Sequence, residues 1–334
     1  MMSPYQALSF ESLLSRLEPS VDTLVLFHRN PDADAVGSAY ALKRILEDLG
    51  SRAWCVCERE LPERLRFLLC GEQNGVSPCT IPADFSVGRI VSVDTASPSQ
   101  LGELWELYGD RIDLMIDHHG MGEVYADHYI RPDAAATAEI LFDVVKTLAS
   151  DGRIRITASL CTALYAAISA DTGGFRFSNV TPDTHLRASE LMSSGIDCAH
   201  INHLLFDSYS MEQLRARSAG ISNLHLFANG AICVVLFPYA LKVALGLEDE
   251  HLETLVDIAR SLAGVKVAIS IRQPSTEGVF RVSMRSSSAY DVSALCALFG
   301  GGGHKKAAGC TVFASDAEAA MHKILASINS KELD

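Results

Sequence analysis

The sequence predicts an α/β protein of two domains: a larger N-terminal domain built on a mainly parallel sheet with helices on both faces, and a smaller C-terminal α/β domain. Three observations lead to this prediction. The chain has 334 residues, 48% of them hydrophobic, which is enough for two separate cores. Short apolar runs alternate with longer helical patterns through the first 200 residues, as in parallel sheets whose strands are connected by helices. A second set of strands begins after about residue 225.

The first domain contains three predicted strands and three predicted helices. The strands are the apolar runs 22-DTLVLFH, 89-RIVSVD and 112-IDLMIDHH. The helices are the longer patterns 36-VGSAYALKRILEDLG, 137-TAEILFDVVKTLA and 157-TASLCTALYAAISAD. Because the carboxyl ends of parallel strands lie at one edge of the sheet, we expect a ligand site at that edge.

The second domain is predicted from another alternation of strands and helices. Its strands are 231-AICVVLF, 265-VKVAISIRQ and 278-GVFRVSMRS, and its helices lie near 250-EHLETLVDIARSLAG and 316-DAEAAMHKILASI. Between the two domains the pattern is helical and increasingly polar, which suits a connector. We therefore predict a catalytic domain over 1–200, a helical connector over 201–225 and a substrate-binding domain over 226–334.

Charge and composition limit the partners. Acidic residues outnumber basic ones 41 to 28, and the formal charge of −13 disfavours long duplex nucleic acid but not a small phosphorylated molecule. The nine cysteines are scattered, as in reduced cytoplasmic proteins. The N-terminus lacks a basic start followed by a long apolar run, and no segment approaches the ~18 apolar residues that span a bilayer. We expect a cytoplasmic protein without a membrane partner.

Ligand-type side chains follow apolar or helical runs at four places in the first domain. Any one of them has an ordinary structural explanation, since aspartate often caps a helix. For Asp32 and Asp34 alone, capping is as good an interpretation as ligation. The residues are His28, Asp32 and Asp34, then Asp94, then Asp117, His118 and His119, and finally Asp171.

The coincidence of all four groups favours a metal centre. Carboxylates gathered at one edge of a sheet repel one another unless cations neutralise them. Two divalent ions would do so, and the mixture of oxygen and nitrogen ligands suits Mn²⁺ better than Ca²⁺. Such a pair of ions activates water for attack on a phosphoester, so phosphoester hydrolysis is the predicted chemistry.

These motifs resemble the DHH phosphoesterase superfamily. The run 28-HRNPDADAVGS, the isolated aspartate after 89-RIVSV, the triplet 117-DHH and the aspartate at 171 are similar to its four motifs. The stretch 284-MRSSSAYDVSALCALFGGGGHKKAAG resembles the glycine-rich signature of the DHHA1 domain. The compact two-domain form is similar to nanoRNases, which are oligoribonucleases that also act as phosphatases of 3′-phosphoadenosine 5′-phosphate (pAp). The GGGGH run argues against a family II pyrophosphatase, which has a different second domain.

The resemblance implies a role for each residue of the first domain. His28, Asp32 and Asp94 would hold one ion, and Asp34, Asp94, His118 and Asp171 the other, so that Asp94 bridges the pair. Asp117 would orient a neighbouring imidazole, and His119 would donate a hydrogen bond near the scissile phosphate.

The resemblance also implies a substrate-binding role for the second domain. On its own, 300-GGGGHKKAAG reads as a loop with a bare backbone that can approach a ligand, or as a flexible turn. With the family pattern, binding is favoured, and Arg285 offers a guanidinium for a phosphate. The predicted substrate-binding residues are Arg285, Gly301, Gly302, Gly303 and His304. Gly173 and Gly174 directly follow Asp171, and whether 175–177 contacts substrate stays open.

The expected function is metal-dependent hydrolysis of short oligoribonucleotides, of linear dinucleotides such as pApA, or of pAp. An alternative is a phosphodiesterase of cyclic dinucleotides such as c-di-AMP. A minor alternative is a nucleotide sensor without catalysis, although every metal-ligand position is filled. A homodimer is compatible with the resemblance, and RecJ-like enzymes suggest degradation from the 5′ end.

Overall fold

The computed structural model describes residues 4–18, 20–69, 80–274 and 278–329. The chain folds into two compact units, Met1–Ser208 and Tyr209–Asp334. Their boundary lies within the segment 201–225 that the sequence predicts as a connector. A π-helix, His203–Asp207, immediately precedes the boundary.

A five-stranded parallel sheet forms the centre of the first unit. Its order is β2-β1-β3-β4-β5, which confirms the prediction of a mainly parallel sheet. In this order β2 lies on one side of β1, and β3, β4 and β5 lie on the other. The direction of strand addition therefore reverses between β1 and β3, and doubly wound sheets bind ligands in the crevice at such a point. The strands are β1 (Thr23–Leu26), β2 (Ala53–Val56), β3 (Arg89–Val93), β4 (Leu114–Asp117) and β5 (Asp127–Ile130).

Alternate strand residues belong to different cores, so both faces of this sheet are covered. In β1, Leu24 and Leu26 pack into one apolar cluster, whereas Val25 packs into the other. This is the period of two that a strand imposes on its side chains. The predicted helices on both faces are therefore confirmed.

Seven α-helices belong to the described part of the first unit. Helices α2 and α3, which follow β1 and β3, pack on opposite faces of the sheet. The helices are α1 (Phe10–Leu17), α2 (Ala33–Asp48), α3 (Glu103–Tyr108), α4 (Thr137–Ser150), α5 (Ala158–Asp171), α6 (Pro182–Met192) and α7 (Cys198–Asn202).

Small residues let α2 and α5 pack closely. A Cβ at Gly37 would lie 2.5 Å from the carbonyl oxygen of Ala163 and 2.9 Å from the Cβ of Ala167, distances that no real Cβ adopts. The close packing brings the start of α2 and the end of α5 to the same edge of the sheet. That edge carries the carboxyl ends of the strands.

A six-stranded mixed sheet forms the second unit, with the order β10-β11-β9-β8-β7-β6. Only β7 and β8 run parallel, and the remaining neighbours are antiparallel. The sequence predicts the central strands but not β6, β10 and β11. The strands are β6 (Leu224–Phe227), β7 (Ile232–Phe237), β8 (Val267–Arg272), β9 (Val279–Ser286), β10 (Gly302–His304) and β11 (Ala307–Phe313).

Helices cover both faces of this second sheet, as expected for an α/β domain. Helices α11 and α12 pack on one face, and α8 and α10 pack on the other. The helices are α8 (Met211–Ser222), α9 (Tyr239–Ala244), α10 (Leu255–Arg260), α11 (Val292–Ala297) and α12 (Ala317–Ala326). None of the described helices is both long enough and apolar enough to cross a membrane.

Candidate metal centre

Histidine and aspartate side chains from four chain segments meet at the carboxyl edge of the parallel sheet. They form three groups in which the ligand atoms lie within 4.8 Å of one another. The structure thus brings together all eight histidine and aspartate side chains that sequence analysis identifies as candidate ligands or their neighbours in the first unit. The groups are His28 with Asp32 and Asp94, Asp34 with His118 and Asp171, and Asp94 with Asp117 and His119.

Asp32 caps a helix and also faces a histidine of the candidate metal centre. It is the N-cap of α2, and its Oδ1 accepts a hydrogen bond of 3.0 Å from the amide of Ala35. The same Oδ1 lies 3.7 Å from Nε2 of His28. Capping fixes the carboxylate, and the fixed carboxylate faces the imidazole. Capping and ligation are therefore compatible at this position.

Asp34 is fully buried and held by the start of α4. Its Oδ2 accepts from the amide of Thr137 at 2.7 Å, and its Oδ1 accepts from the amide of Ala138 at 3.1 Å. The hydroxyl of Ser38 donates to Oδ1 at 2.9 Å. These bonds use amides that a helix cannot satisfy internally, so the first turn of α4 positions the carboxylate.

Asp94 lies at the centre of the cluster and has an unusual backbone. Its φ is +51°, in the left-handed region that residues other than glycine rarely adopt. Its amide donates to Ile116 at 3.0 Å, which ties the end of β3 to β4. Its Oδ1 accepts from the hydroxyl of Thr137 at 3.0 Å and lies 3.7 Å from Nε2 of His118, while its Oδ2 lies 3.7 Å from Nε2 of His28. Nδ1 of His119 also lies 3.7 Å from Oδ1, so one carboxylate faces three imidazoles.

His118 has the tautomer that a metal ligand needs. Its Nδ1 lies 3.2 Å from the carbonyl oxygen of Ala134, which can only accept, so Nδ1 carries the proton and donates. Nε2 then faces three carboxylates. That nitrogen is 3.3 Å from Asp171, 3.7 Å from Asp94 and 3.9 Å from Asp34.

Asp117 orients the next histidine. Its Oδ1 accepts from Nδ1 of His119 at 2.7 Å and from the amides of His118 and His119 at 2.7 and 3.2 Å. Burial tends to raise the pKa of Asp117, but the hydrogen bond and positive charge of His119 lower it below its usual value. Its Oδ2 is buried without a hydrogen-bond partner in the described part of the chain. The hydrogen bond at Nδ1 fixes the orientation of the His119 ring.

The electrostatics of the cluster fit a bound cation. Burial and the neighbouring carboxylate of Asp32 raise the pKa of Asp94 to about 8. Burial and the carboxylates of Asp94 and Asp171 also raise the pKa of Asp34. Burial opposes protonation of His28, yet the Asp32 and Asp94 carboxylates raise its pKa to about 9. Burial and the neighbouring carboxylates together disfavour the ionised aspartates, and bound divalent ions would offset both effects.

A left-handed turn follows Asp171. Three successive residues have positive φ: Gly173 at +58°, Gly174 at +68° and Phe175 at +62°. A Cβ at Gly173 would lie 2.2 Å from the ring of Phe177, so the glycine is required by packing. The ring of Phe175 stacks on His185, with centroids 5.4 Å apart. These contacts give Phe175 and Phe177 structural roles in forming the turn.

Sequence analysis does not identify some residues that hold the candidate ligands in place. Thr137 contacts two of the carboxylates, and the only signal for it is a hydroxyl residue at the first position of a predicted helix. Asn179 donates to the carbonyl oxygens of Asp171 and Ala135 at 3.1 and 3.0 Å, which fixes the end of α5. Its Oδ1 is buried without a hydrogen-bond partner among the described residues. Nothing in the sequence around Asn179 distinguishes it from a turn residue.

The predicted substrate-binding residues of the second unit lie together at one end of its sheet. Residues 302–304 form the edge strand β10, where the sequence predicts a loop, because β11 offers them backbone partners. Ala307 pairs with His304 on one side and with Arg285 on the other. Directly opposed residues point to the same face of a sheet, so Arg285 and His304 share a face.

The three glycines of β10 and its approach differ in surroundings. A Cβ at Gly301 would lie 2.2 Å from the carbonyl oxygen of Gly309, and one at Gly303 would lie 2.5 Å from that of Ala307. Gly303 also has a φ of +139°. A Cβ at Gly302 would meet no described atom within 4 Å. The fold therefore explains Gly301 and Gly303 but leaves Gly302 unexplained.

Comparisons with known proteins agree with this architecture. Residues 22–168 match the model of the DHH family N-terminal domain, and residues 234–330 match that of the DHHA1 domain. The bifunctional oligoribonuclease and PAP phosphatase NrnA of Thermus thermophilus is 30% identical over 91% of this chain and 88% of that protein. Together the fold and the cluster define a metal-dependent phosphoesterase. The chain belongs to the DHH family, in the form that carries a DHHA1 domain.

Other relatives and a solved structure extend the comparison. The Listeria monocytogenes cyclic-di-AMP phosphodiesterase PdeA is 27% identical over 88% of this chain, but the match spans only 45% of that protein. The crystal structure of an exopolyphosphatase-related protein from Bacteroides fragilis has a TM-score of 0.86 and 21% identity, with 97% of each chain covered. That structure supports the fold alone.

Proposed function

We propose that this protein hydrolyses short oligoribonucleotides, linear dinucleotides such as pApA, and pAp to mononucleotides, with two divalent ions, preferably Mn²⁺. The observation that carries the proposal is the buried Asp94 carboxylate, whose Oδ2 lies 3.7 Å from Nε2 of His28 and whose Oδ1 lies 3.7 Å from Nε2 of His118. The NrnA relative, which matches nearly the whole chain, supports the choice of substrates.

The side chains divide into two sets that share Asp94. His28 and Asp32 complete the set for one ion, and Asp34, His118 and Asp171 complete the set for the other. When bound, the ions neutralise the cluster, polarise the phosphoester and lower the pKa of a water. Mixed oxygen and nitrogen ligands suit Mn²⁺, although related geometries accept other first-row ions.

His119 and Asp117 form the remaining part of the catalytic machinery. Asp117 fixes the His119 ring through Nδ1, so Nε2 has a defined direction and, when protonated, donates a hydrogen bond to a phosphate oxygen. His119 is thus proposed as the donor to the scissile phosphate, and Asp117 as the residue that positions it.

In the second unit, Arg285, His304 and the glycines of 301–303 are proposed to bind the nucleotide. Arg285 and His304 present charged or polar groups on one face, and Gly302 lets a ligand approach the backbone of an edge strand. A single extra methyl at Gly302 tests this role, because the folded protein has space for it.

We expect Gly302→Ala to lower kcat/KM for pApA about tenfold or more, while the melting temperature stays within about 2 °C of wild type. The cause is a methyl group placed where the ligand approaches. Gly303→Ala is the matched comparison: it clashes with Ala307 and should lower the melting temperature as well. Calorimetric melting and kinetics on both variants provide the measurement. A Gly302→Ala protein with wild-type kinetics would remove Gly302 from the proposed site.

Substrate length tests the proposed function itself. The net charge of −13 makes a long polyanion costly to bind, so we expect kcat/KM to fall steeply between RNAs of about five and ten nucleotides. The difference should shrink at higher salt, which screens the repulsion. The assay uses 5′-labelled RNAs of about two to twenty-four nucleotides at two salt concentrations. A flat or rising series would indicate a processive exonuclease.

The second candidate is hydrolysis of cyclic dinucleotides, which the PdeA relative favours. The match spans less than half of PdeA, whereas it spans most of NrnA, so linear substrates take precedence. Turnover of c-di-AMP faster than pApA by one preparation of enzyme would reverse this order. If no phosphoester is turned over with added Mn²⁺ but a nucleotide still binds, the non-catalytic sensor is favoured.

A further inference from the structure

A cavity of about 320 Å³ opens beside the metal centre within the first unit. His28, one of the proposed ligands, forms part of its wall. Its other lining residues are Arg29, Asn30, Ser99 and Gln100. The cavity therefore lies between the segment that follows β1 and the turn that follows β3, at the crevice where the order of the sheet reverses.

Arg29 is fixed in this cavity through its backbone. Its amide donates to the carbonyl oxygen of Gln100 at 2.8 Å, which connects the two segments. Next to it, Gly102 has a φ of +59°, and a Cβ there would lie 3.0 Å from Cδ of Arg29. The glycine thus leaves room for the arginine side chain.

The guanidinium of Arg29 has no hydrogen bond or ion pair within the described part of the chain. The lack of an ion pair is unusual in so acidic a protein. A carboxylate is nearby, since Glu58 lies against the same Gly102. Glu58 instead accepts from the amide of Glu103 at 3.1 Å. An arginine with five donors and no acceptor is a ready partner for an anion.

The other lining groups also present donors. Oδ1 of Asn30 accepts from Arg59 at 3.0 Å, so the amide nitrogen of Asn30 is left to donate. Oε1 of Gln100 accepts from the backbone amides of Ala96 and Ser97 at 2.7 and 3.2 Å. The side-chain amide nitrogen of Gln100 is therefore also left to donate. No carboxylate is among the described residues that line the cavity. The described lining groups therefore supply one guanidinium and two side-chain amide donors, while the Glu58 carboxylate lies beside Arg29 at Gly102.

We propose that this cavity binds a second phosphate group of the substrate, next to the phosphoester held at the metal centre, with Arg29 as its principal ligand. This inference rests on the proposed function. For pApA the second group is the terminal 5′-phosphate, and for pAp it is the phosphate that is not cleaved. Arg29 would then make the enzyme prefer 5′-phosphorylated dinucleotides to ApA, which lacks that group.

The test compares pApA with ApA using the full-length, Mn²⁺-loaded protein. We expect wild type to prefer pApA, and Arg29→Gln to lower kcat/KM for pApA about ten- to a hundredfold but that for ApA by no more than about threefold. Arg29→Lys should recover part of the preference, because it keeps the charge and loses the planar fork. Calorimetry with AMP and adenosine gives a readout without turnover: Arg29→Gln should weaken binding of AMP but not of adenosine.

The matched control is Arg155→Gln. Arg155 is exposed and pairs with Asp48, at the end of α2 remote from the metal centre. It should leave the ratio of kcat/KM for the two substrates at the wild-type value. Equal losses on pApA and ApA in Arg29→Gln, or no preference for pApA in wild type, would overturn the phosphate site. Failure of wild type to cleave either dinucleotide would instead refute the proposed function.

Discussion

Removing divalent ions should abolish phosphoester hydrolysis and lower the melting temperature of the protein, and added Mn²⁺ should restore both. An ion that binds only the folded state at about a hundred times its Kd contributes about 2.7 kcal/mol, which corresponds to roughly 5–10 °C for a unit of this size. The measurement is calorimetric melting and turnover of pApA before chelation, after it, and after addition of Mn²⁺. Full activity in excess chelator after exhaustive dialysis would refute a metal-dependent reaction.

The chelated protein should also become less stable as pH rises from about 5 to 9. The folded pKa of Asp94, about 8, lies above the usual 3.8, and that of His28, about 9, lies above 6.5. A group with a raised folded pKa binds more protons in the folded than in the unfolded state, so both groups lose their stabilising effect as pH rises. Bound ions should reverse this trend. If stability changes equally with pH in the presence and absence of ions, the ions bind elsewhere.

Asp94→Asn should reduce turnover by about a thousandfold or more while the fold stays intact. The substitution removes the negative charge that both sets of ligands share. Asparagine is a suitable replacement because, like aspartate, it is enriched in the left-handed region among residues other than glycine, so the substitution adds little backbone strain at φ +51°. Kinetics with pApA, together with metal content and circular dichroism, measure the effect.

Asp151→Asn is a suitable control for this variant, since Asp151 is an exposed residue at the C-cap of α4. It should retain wild-type turnover. An Asp94→Asn enzyme within about tenfold of wild type would mean that the shared carboxylate is not at the reacting centre.

Sequence reasoning identifies the members of the candidate metal centre because the signal is local. Each of them lies at or shortly after the end of an apolar or helical run, and a parallel sheet gathers the ends of such runs at one edge. The same reasoning identifies Asp32 both as a cap and as a ligand without deciding between them. The structure shows that a cap held by the amide of Ala35 still faces His28.

The supporting contacts are not local, and the sequence does not reveal them. The amides that hold Asp34 belong to Thr137 and Ala138, about a hundred positions away. The proton on Nδ1 of His118 depends on the carbonyl of Ala134, in a segment without ligand-type residues. In the second unit, the edge strand β10 forms only because β11 is adjacent, and a run of glycines has too little β-propensity to predict a strand.

The spread of the ligands along the chain has a consequence for biogenesis. His28 and Asp171 are separated by most of the first unit, and the centre also needs β3, β4 and the start of α4 in place. Contacts over such long sequence separations form late, because the loops between them must close first. A ribosome-bound nascent chain that ends before α5 would lack a complete ion site. Capture of Mn²⁺ should then mark the docking of α5 onto the parallel sheet, and arrested chains of increasing length would acquire the ion only once α5 has emerged.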